Sequence, residues 1–128
     1  MDELREEMEE LKELLRTKQY TRLRQSMAEV NDADIAAFIE SLDEGELLKV
    51  FRILPKSCAA DVFSYLEVEN QHLIITALSD KEAANIIDNL MADDATDFLE
   101  EMPANIVKKL LANASPGTRR DINHLLRY

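Results

Sequence analysis

An apolar side chain recurs every twelve residues through most of the chain, without an insertion or a deletion. The nine markers of this pattern are Val30, Leu42, Leu54, Leu66, Leu78, Leu90, Met102, Ala114 and Leu126. A constant period of this kind is typical of proteins that are built from stacked structural repeats. We therefore predict a helical repeat array, with twelve residues in each repeat.

Two further apolar positions precede each marker. Four residues before the eight markers from Leu42 onward stand Phe38, Val50, Val62, Ile74, Ile86, Phe98, Leu110 and Ile122. Three residues before it stand Met27, Ile39, Phe51, Phe63, Ile75, Ile87, Leu99 and Leu111, with Asn123 as the polar exception. Positions i, i+1 and i+4 share one side of an α-helix, so every repeat carries an apolar patch. Because one repeat cannot bury this patch alone, we expect successive helices to stack into a curved superhelix.

The starts of the helices are marked by capping residues. Ser79 and Glu82 fit a capping box, and Ser115-Pro116 reads as an N-cap followed by the first helical residue. Further signals are two prolines that suit first helical positions and three acidic residues near helix N-termini: Pro55, Pro103, Asp32, Asp43 and Asp80. Each repeat therefore holds one helix of about nine or ten residues and a very short turn. The predicted fold class is all-α.

The first eighteen residues lie outside this pattern. Five apolar residues at helical spacing predict an amphipathic helix from about Asp2 to Arg16: Leu4, Met8, Leu11, Leu14 and Leu15. We expect residues 1–18 to cap the open end of the array, which then covers residues 19–128. A coiled-coil dimerisation segment is the alternative, but the apolar stripe is shorter than three or four heptads.

The charge balance excludes several classes of partner. The chain has 128 residues and a formal net charge of −11. This charge argues against nucleic acid and against an anionic membrane face, and it leaves cations or basic protein surfaces as partners. The length suits a single domain, and the one cysteine, Cys58, cannot form an internal disulfide. No apolar run approaches the roughly twenty residues that cross a bilayer.

The sequence contains no recognisable catalytic constellation, so we expect no enzyme. His72 and His124 lack a second histidine or cysteine at metal-ligand spacing, and two isolated glycines do not form a phosphate-binding loop. Cys58 follows Pro55 in the first turn of a predicted helix, where a thiol can have a lowered pKa. The ordinary interpretation, a small half-buried thiol, is favoured because no base is paired with it.

One short helix concentrates negative charge. Five carboxylates fall within nine positions, namely Asp93, Asp94, Asp97, Glu100 and Glu101. The spacings Asp93/Asp97 and Asp97/Glu101 are like-charge i,i+4 pairs that cost a few tenths of a kcal/mol each. A solvated acidic face and a cation-binding face both fit this pattern. Hard oxygen ligands favour magnesium or calcium, and magnesium takes only one or two carboxylates from a surface. The chain would then supply half of a site.

Several segments resemble the cytosolic N-terminal domain of MgtE-type magnesium transporters. They are residues 34–36, 54–56, 59–66, 78–84 and 93–95, together with 119–122 and the closing Leu126-Arg127-Tyr128. The resemblance covers about residue 15 to the end. It implies a right-handed superhelix of short helices in a piece of a longer chain, which continues into CBS domains and a dimeric transmembrane pore.

The resemblance also implies a function and its residues. In this family, Mg²⁺ is bound between acidic residues of the N domain and of the CBS domains, which favours the closed pore. The metal-facing positions here would be Asp61, Asp93 and Asp97, and the domain would lie on the cytoplasmic side of the membrane. Asp61 and Asp97 stand at the same place in their repeats, five residues before a marker.

A second interpretation is a protein-docking scaffold without a metal. The array also resembles the middle domain of the flagellar motor switch protein, in which short-helix repeats serve as a docking surface. The Glu-His-Pro-Gln docking motif of that family is missing here, as is a glycine-pair hinge. The transporter segments match the chain better.

Overall fold

Ten α-helices make up the chain in the computed structural model, which describes residues 2–126 and the side chains of residues 3–125. They are α1 (Asp2–Arg16), α2 (Tyr20–Met27), α3 (Asp32–Glu40), α4 (Glu44–Ile53), α5 (Lys56–Ser64), α6 (Val68–Ala77), α7 (Asp80–Asn89), α8 (Ala92–Glu100), α9 (Ala104–Asn113) and α10 (Pro116–Leu126). Residues 2–126 contain no strand, which confirms the all-α class. Arg127, Tyr128 and the side chain of the marker Leu126 lie outside the described residues.

The helices begin at regular intervals. α2 begins at Tyr20, and each later helix begins twelve residues after the one before it, up to Pro116. These nine helices have 8 to 11 residues, close to the expected nine or ten. The interval between helix starts equals the interval between the apolar markers. Each marker from Val30 to Ala114 lies one to three residues after the end of its helix, and Leu126 is the last residue of α10.

The chain forms two compact units, Met1–Tyr65 and Leu66–Tyr128. In the first unit α1 packs against α2, and α3 packs against α4 and α5. In the second unit α7 packs against α9, while α10 packs against α8 and α9. The pairs α3/α5, α7/α9 and α8/α10 each join helices that are two repeats apart.

The repeated apolar positions form the cores of the two units. All eight residues that stand four positions before a marker, from Phe38 to Ile122, are buried. The position three before the marker is buried from Met27 to Leu99 and becomes partly or fully exposed at Leu111 and Asn123. Burying one large apolar side chain stabilises a fold by about 1.5–3 kcal/mol, so these residues carry much of the packing energy.

The helix caps largely follow the sequence. The Ser79 hydroxyl accepts a hydrogen bond from the Glu82 backbone N–H at 3.1 Å, and the Glu82 carboxylate accepts from the Ser79 N–H at 3.2 Å, which confirms the capping box. The prediction that Pro55 and Pro103 are the first residues of their helices is wrong. Both are N-cap residues with extended ψ angles of 136° and 147°, so their helices begin one residue later.

Two polar links connect helices of the second unit. The Ser115 backbone N–H donates to the Asp88 Oδ1 atom at 3.0 Å, which joins the C-terminal end of α7 to the start of α10. The Lys109 Nζ atom lies 3.7 Å from the Asp80 Oδ1 atom, which joins α9 to the start of α7. Neither link could be predicted from the sequence, because the two links join residues that are 27 and 29 positions apart, respectively.

The first helix packs against α2 through its C-terminal half. Leu11, Leu14 and Leu15 are buried, while Leu4 remains 40% exposed. α1 ends in a Schellman motif, in which the Gln19 N–H donates to the Leu14 carbonyl at 2.9 Å. None of the described helices is both long and apolar enough to cross a membrane.

Candidate metal site

Asp61 lies on the solvent side of α5, where its carboxylate is exposed. The opposite side of this helix is fixed by the buried residues Ala60, Val62 and Phe63. Because α5 is held in this orientation and packs against α3, Asp61 stays at the surface beside the start of α3. No basic side chain among the described residues forms an ion pair with it. Its carboxylate is therefore available to a ligand.

Asp32 is the negative neighbour of Asp61. It is the first residue of α3 and is partly buried. Its pKa lies above the ordinary 3.8, mainly because burial removes water from the carboxyl group and secondly because the Asp61 charge repels its ionised form. From the sequence, Asp32 was predicted only to be a favourable charge at a helix N-terminus. No sequence pattern predicts that α3 packs against α5.

Cys58 lies within electrostatic range of these two carboxylates and of Arg24. Its pKa is raised, first by burial and then by the charges of Asp32 and Asp61, while a backbone hydrogen bond and Arg24 act in the opposite direction. The thiol also donates to the Pro55 carbonyl at 3.4 Å. The half-buried thiol is confirmed, and the lowered pKa considered for it is wrong. Burial and two negative neighbours outweigh the position at the helix N-terminus.

The second acidic group lies on α8. The buried side of this helix consists of Ala95, Thr96, Phe98 and Leu99, and α8 packs against α10. Its five carboxylates are all exposed: Asp93, Asp94, Asp97, Glu100 and the C-cap residue Glu101. None of them forms an ion pair within the described part of the chain. The face of α8 that carries them is therefore negative and uncompensated.

The helical spacing of this group is unfavourable for an isolated helix. Asp93 and Asp97 lie one turn apart on α8, and Glu101 follows one turn later. Each such like-charge pair costs about 0.2–0.5 kcal/mol, and Glu100 and Glu101 also lie at the negative end of the helix dipole. A bound cation would remove part of this cost.

The three residues that the sequence selects fall in different parts of the fold. Asp93 and Asp97 lie together on α8 in the second unit, whereas Asp61 lies on α5 in the first. Asp61 and Asp97 are each the sixth residue of their helix and are both exposed, so the two helices present them equivalently. Among the described residues, no group of three histidine, cysteine, aspartate or glutamate side chains is placed to hold a metal ion.

The acidic groups fit one class of ligand. Exposed carboxylates supply hard oxygen donors, and their exposure leaves room for the waters that Mg²⁺ retains. They do not fit zinc or copper, which favour histidine and cysteine. His72 is exposed on α6, and Cys58 is a protonated thiol at neutral pH because its pKa is raised. The surface is thus suited to a hydrated divalent cation.

Comparison with known proteins gives a family. The model of the MgtE intracellular N domain matches residues 30–128. Among solved structures, the chain is similar to the crystal structure of the soluble part of a magnesium transporter, with a TM-score of 0.85 and 24% sequence identity. The similarity covers 98% of this chain and 50% of that one, so this chain spans about half the length of its structural neighbour. No curated protein matches it. The chain belongs to the MgtE intracellular N domain family.

Proposed function

We propose that this chain is the magnesium-sensing regulatory domain of an MgtE-type divalent cation transporter. The main observation behind the proposal is that the exposed carboxylates of α8 have no ion-pair partner among the described residues. The second is that the chain belongs to this family. Unpaired like charges one turn apart cost the folded chain free energy, and bound divalent cations would recover it. Asp61, Asp93 and Asp97 are the proposed metal-facing residues.

The remaining ligands come from a partner domain in this proposal. Mg²⁺ takes one or two carboxylates from a surface and keeps several waters, so an acidic face of the CBS domains of the same transporter would complete each site. The transporter is a homodimer whose N domains lie on the cytoplasmic side of the inner membrane. Asp32 deepens the negative potential around Asp61, because its own charge faces the same region.

Regulation follows from a difference in affinity between two states. In the compact state, the N domain and the CBS domains present two carboxylate faces to each ion, whereas the extended state offers one. A ligand shifts the equilibrium only by its differential affinity, so high Mg²⁺ favours the compact state and the closed pore. When Mg²⁺ is low, the carboxylates of the two faces repel one another and the N domain moves away.

A flux assay on the full-length transporter tests the proposal. The variant Asp61→Asn/Asp93→Asn/Asp97→Asn should require a higher Mg²⁺ concentration to inhibit transport, because its N domain no longer distinguishes the two states. A control that removes three exposed charges elsewhere, Glu29→Gln/Glu69→Gln/Asp121→Asn, should keep ordinary inhibition. Unchanged inhibition in the first variant would contradict the proposed site. An equal rise in the inhibitory Mg²⁺ concentration in both variants would show an effect of total charge instead of a specific site.

A protein-docking scaffold without a metal remains the alternative function. It predicts that the domain contacts its partner equally well with and without Mg²⁺. Binding of the separate N and CBS domains, measured by calorimetry in Mg²⁺ and in a chelator, distinguishes the two. The family match favours the sensor, since it places the chain among N domains named after a transporter.

A further inference from the structure

One segment near the start of this acidic chain has a local excess of positive charge. Residues 12–25 contain five of the fifteen lysines and arginines and only one of the 26 acidic residues. The five are Lys12, Arg16, Lys18, Arg22 and Arg24, and all are exposed. Arg24 lies near the Cys58 thiol, where its charge acts to lower the pKa of that thiol. The other four surround the turn between α1 and α2, and we call them the basic turn.

Hydrogen bonds hold the basic turn in shape. The Thr17 hydroxyl donates to the Glu13 carbonyl at 2.9 Å, and the Gln19 amide donates to the Thr17 hydroxyl at 2.7 Å. The Arg22 Nη1 atom donates to the Gln19 Oε1 atom at 3.0 Å, which fixes this guanidinium beside the turn. Arg16 is the one cation of the four that is neutralised, because Glu13 accepts its Nε–H at 3.0 Å. Three cations without an ion-pair partner among the described residues remain around the turn: Lys12, Lys18 and Arg22.

Lys18 occupies a position that favours glycine. Its φ angle of 59° lies in the left-handed region, where a side chain costs about 1–2 kcal/mol. Glycine is the usual residue at this place in a Schellman motif. The Lys18 side chain is exposed and has no hydrogen-bond or ion-pair partner among the described residues, so no internal contact offsets the cost. An external partner for the ammonium group would explain the residue.

We propose that the basic turn binds anionic phospholipid headgroups at a membrane surface. This inference rests on the proposed function, which keeps the chain beside a bilayer. The charges are complementary, and lysine and arginine around a turn suit a fluid anionic surface, which requires no matching shape. The aliphatic residues of α1 and α2 next to the turn, Leu14, Leu15 and Leu23, are buried and Tyr20 is half-buried, so the attraction is electrostatic and involves no insertion.

The net charge of −11 does not prevent this contact. Fixed charges are screened over about 8 Å at physiological ionic strength, so the charges nearest the membrane decide the interaction. Glu13 is paired with Arg16, and the next acidic residue of α1 toward its N-terminus is Glu10. Because α1 rises about 1.5 Å per residue, Glu10 is roughly 9 Å from Arg16 along the helix. The average charge of the chain argued against an anionic membrane, but the local distribution favours one at this turn.

Sedimentation with lipid vesicles tests the inference on the chain itself, with a chelator present so that Mg²⁺ sensing plays no part. The wild-type chain should bind vesicles of phosphatidylglycerol and phosphatidylcholine, and should bind pure phosphatidylcholine far less. Lys18→Gln/Arg22→Gln should lower the partition coefficient about 30-fold, which corresponds to about 1 kcal/mol for each cation removed. The matched control Arg119→Gln/Arg120→Gln changes two exposed cations on α10 and should leave most of the binding.

Other outcomes overturn the inference. Equal losses in the two variants would show an effect of total charge, and equal binding to both vesicle types would show that charge is not recognised. Inorganic phosphate should displace the chain no better than sodium chloride of the same ionic strength. Stronger displacement would assign the turn to free phosphate instead. Binding to polyglutamate without binding to anionic vesicles would assign it to an acidic protein. The vesicle assay contains a chelator, so its result does not depend on whether the proposed magnesium response exists.

Discussion

Asp32 and Asp61 are two carboxylates that the packing of α3 on α5 brings into one region. Neither has an ion-pair partner among the described residues. In the folded chain, the ionised form of Asp32 is disfavoured by burial and by the Asp61 charge. The pair therefore stores unfavourable electrostatic energy at neutral pH, which a cation at Asp61 would relieve.

Replacing Asp61 by asparagine should lower the pKa of Asp32. The change removes the repelling charge and leaves the burial, so the pKa should fall part of the way toward 3.8. Carboxyl chemical shifts followed through a pH titration by NMR measure this directly. Asp34→Asn is the control, since Asp34 is not among the causes of the shift. An unchanged pKa in the Asp61 variant would show that the two carboxylates do not interact.

The same pair makes stability depend on pH in a defined direction. The folded-state pKa of Asp32 is raised, so its cost to stability is absent below about 3.8, grows as the pH rises through the raised pKa and is complete above it. Asp61→Asn should therefore increase the free energy of unfolding at pH 7 and have less effect at pH 3. Urea denaturation at the two pH values measures the difference.

Lys18 permits a test of backbone strain. Lys18→Gly should stabilise the chain by about 1 kcal/mol relative to Lys18→Ala, because glycine adopts a φ angle of 59° without a steric penalty. Both variants remove the cation, so their difference isolates the backbone term. Thermal and urea unfolding provide the measurement. Equal stability of the two variants would argue against a left-handed residue at this turn.

The sequence identified the acidic residues but not their surroundings. The selection of Asp93 and Asp97 came from the family resemblance, and their proximity follows from their spacing along one helix, which a sequence shows directly. The proximity of Asp32 to Asp61 depends on the packing of α3 against α5, and no pattern within either helix encodes it. The raised pKa of Cys58 comes first from burial and next from the Asp32 charge, both of which depend on tertiary packing, while the smaller effect of Asp61 comes from the next turn of α5.

The capping box of α7 is a helix feature that was predicted from the sequence and is present in the structure. Ser79 and Glu82 exchange two hydrogen bonds that satisfy otherwise free N–H groups at the start of the helix. Caps of this kind and the twelve-residue spacing could be predicted because they depend on nearby residues. The link from Asp88 to Ser115 could not, since it joins α7 to α10.

Replacing Ser79 by alanine should destabilise the chain by about 1 kcal/mol, because the N-cap hydroxyl and its hydrogen bond to the Glu82 N–H are lost. Ser57→Ala on α5 is a suitable control, since the Ser57 side chain is exposed and makes no hydrogen bond within the described part of the chain. Urea unfolding measures both variants. Equal stabilities would mean that the cap contributes little to α7.

The Asp88 carboxylate should hold the first turn of α10. Asp88→Ala removes the acceptor of the Ser115 N–H and should cost about 1 kcal/mol, with faster hydrogen exchange at Thr118 and Arg119. Asp88→Asn retains an acceptor oxygen and should keep most of the protection. If the alanine variant exchanges at the wild-type rate, the link does not stabilise α10.

At the scale of the whole molecule, a repeated helix gives each unit a core while leaving one side of every helix in water. The eight positions four residues before a marker are all buried, whereas the sixth residue of both α5 and α8 is an exposed aspartate. The repeat can therefore carry ligand groups at equivalent positions without disturbing the core. The all-α class could be predicted from periodicity alone, because burial follows the same period.

The proposed sensor predicts that compaction requires a second domain. The chain alone should keep the same radius of gyration with and without Mg²⁺, because it supplies only part of each site. Joined to its natural CBS domains, it should become more compact as Mg²⁺ rises, and Asp61→Asn/Asp93→Asn/Asp97→Asn should weaken that response. Small-angle X-ray scattering at constant ionic strength measures all three samples. Compaction that is equal in the triple variant would remove these aspartates from the sensing mechanism, since the ions would then be held by other residues.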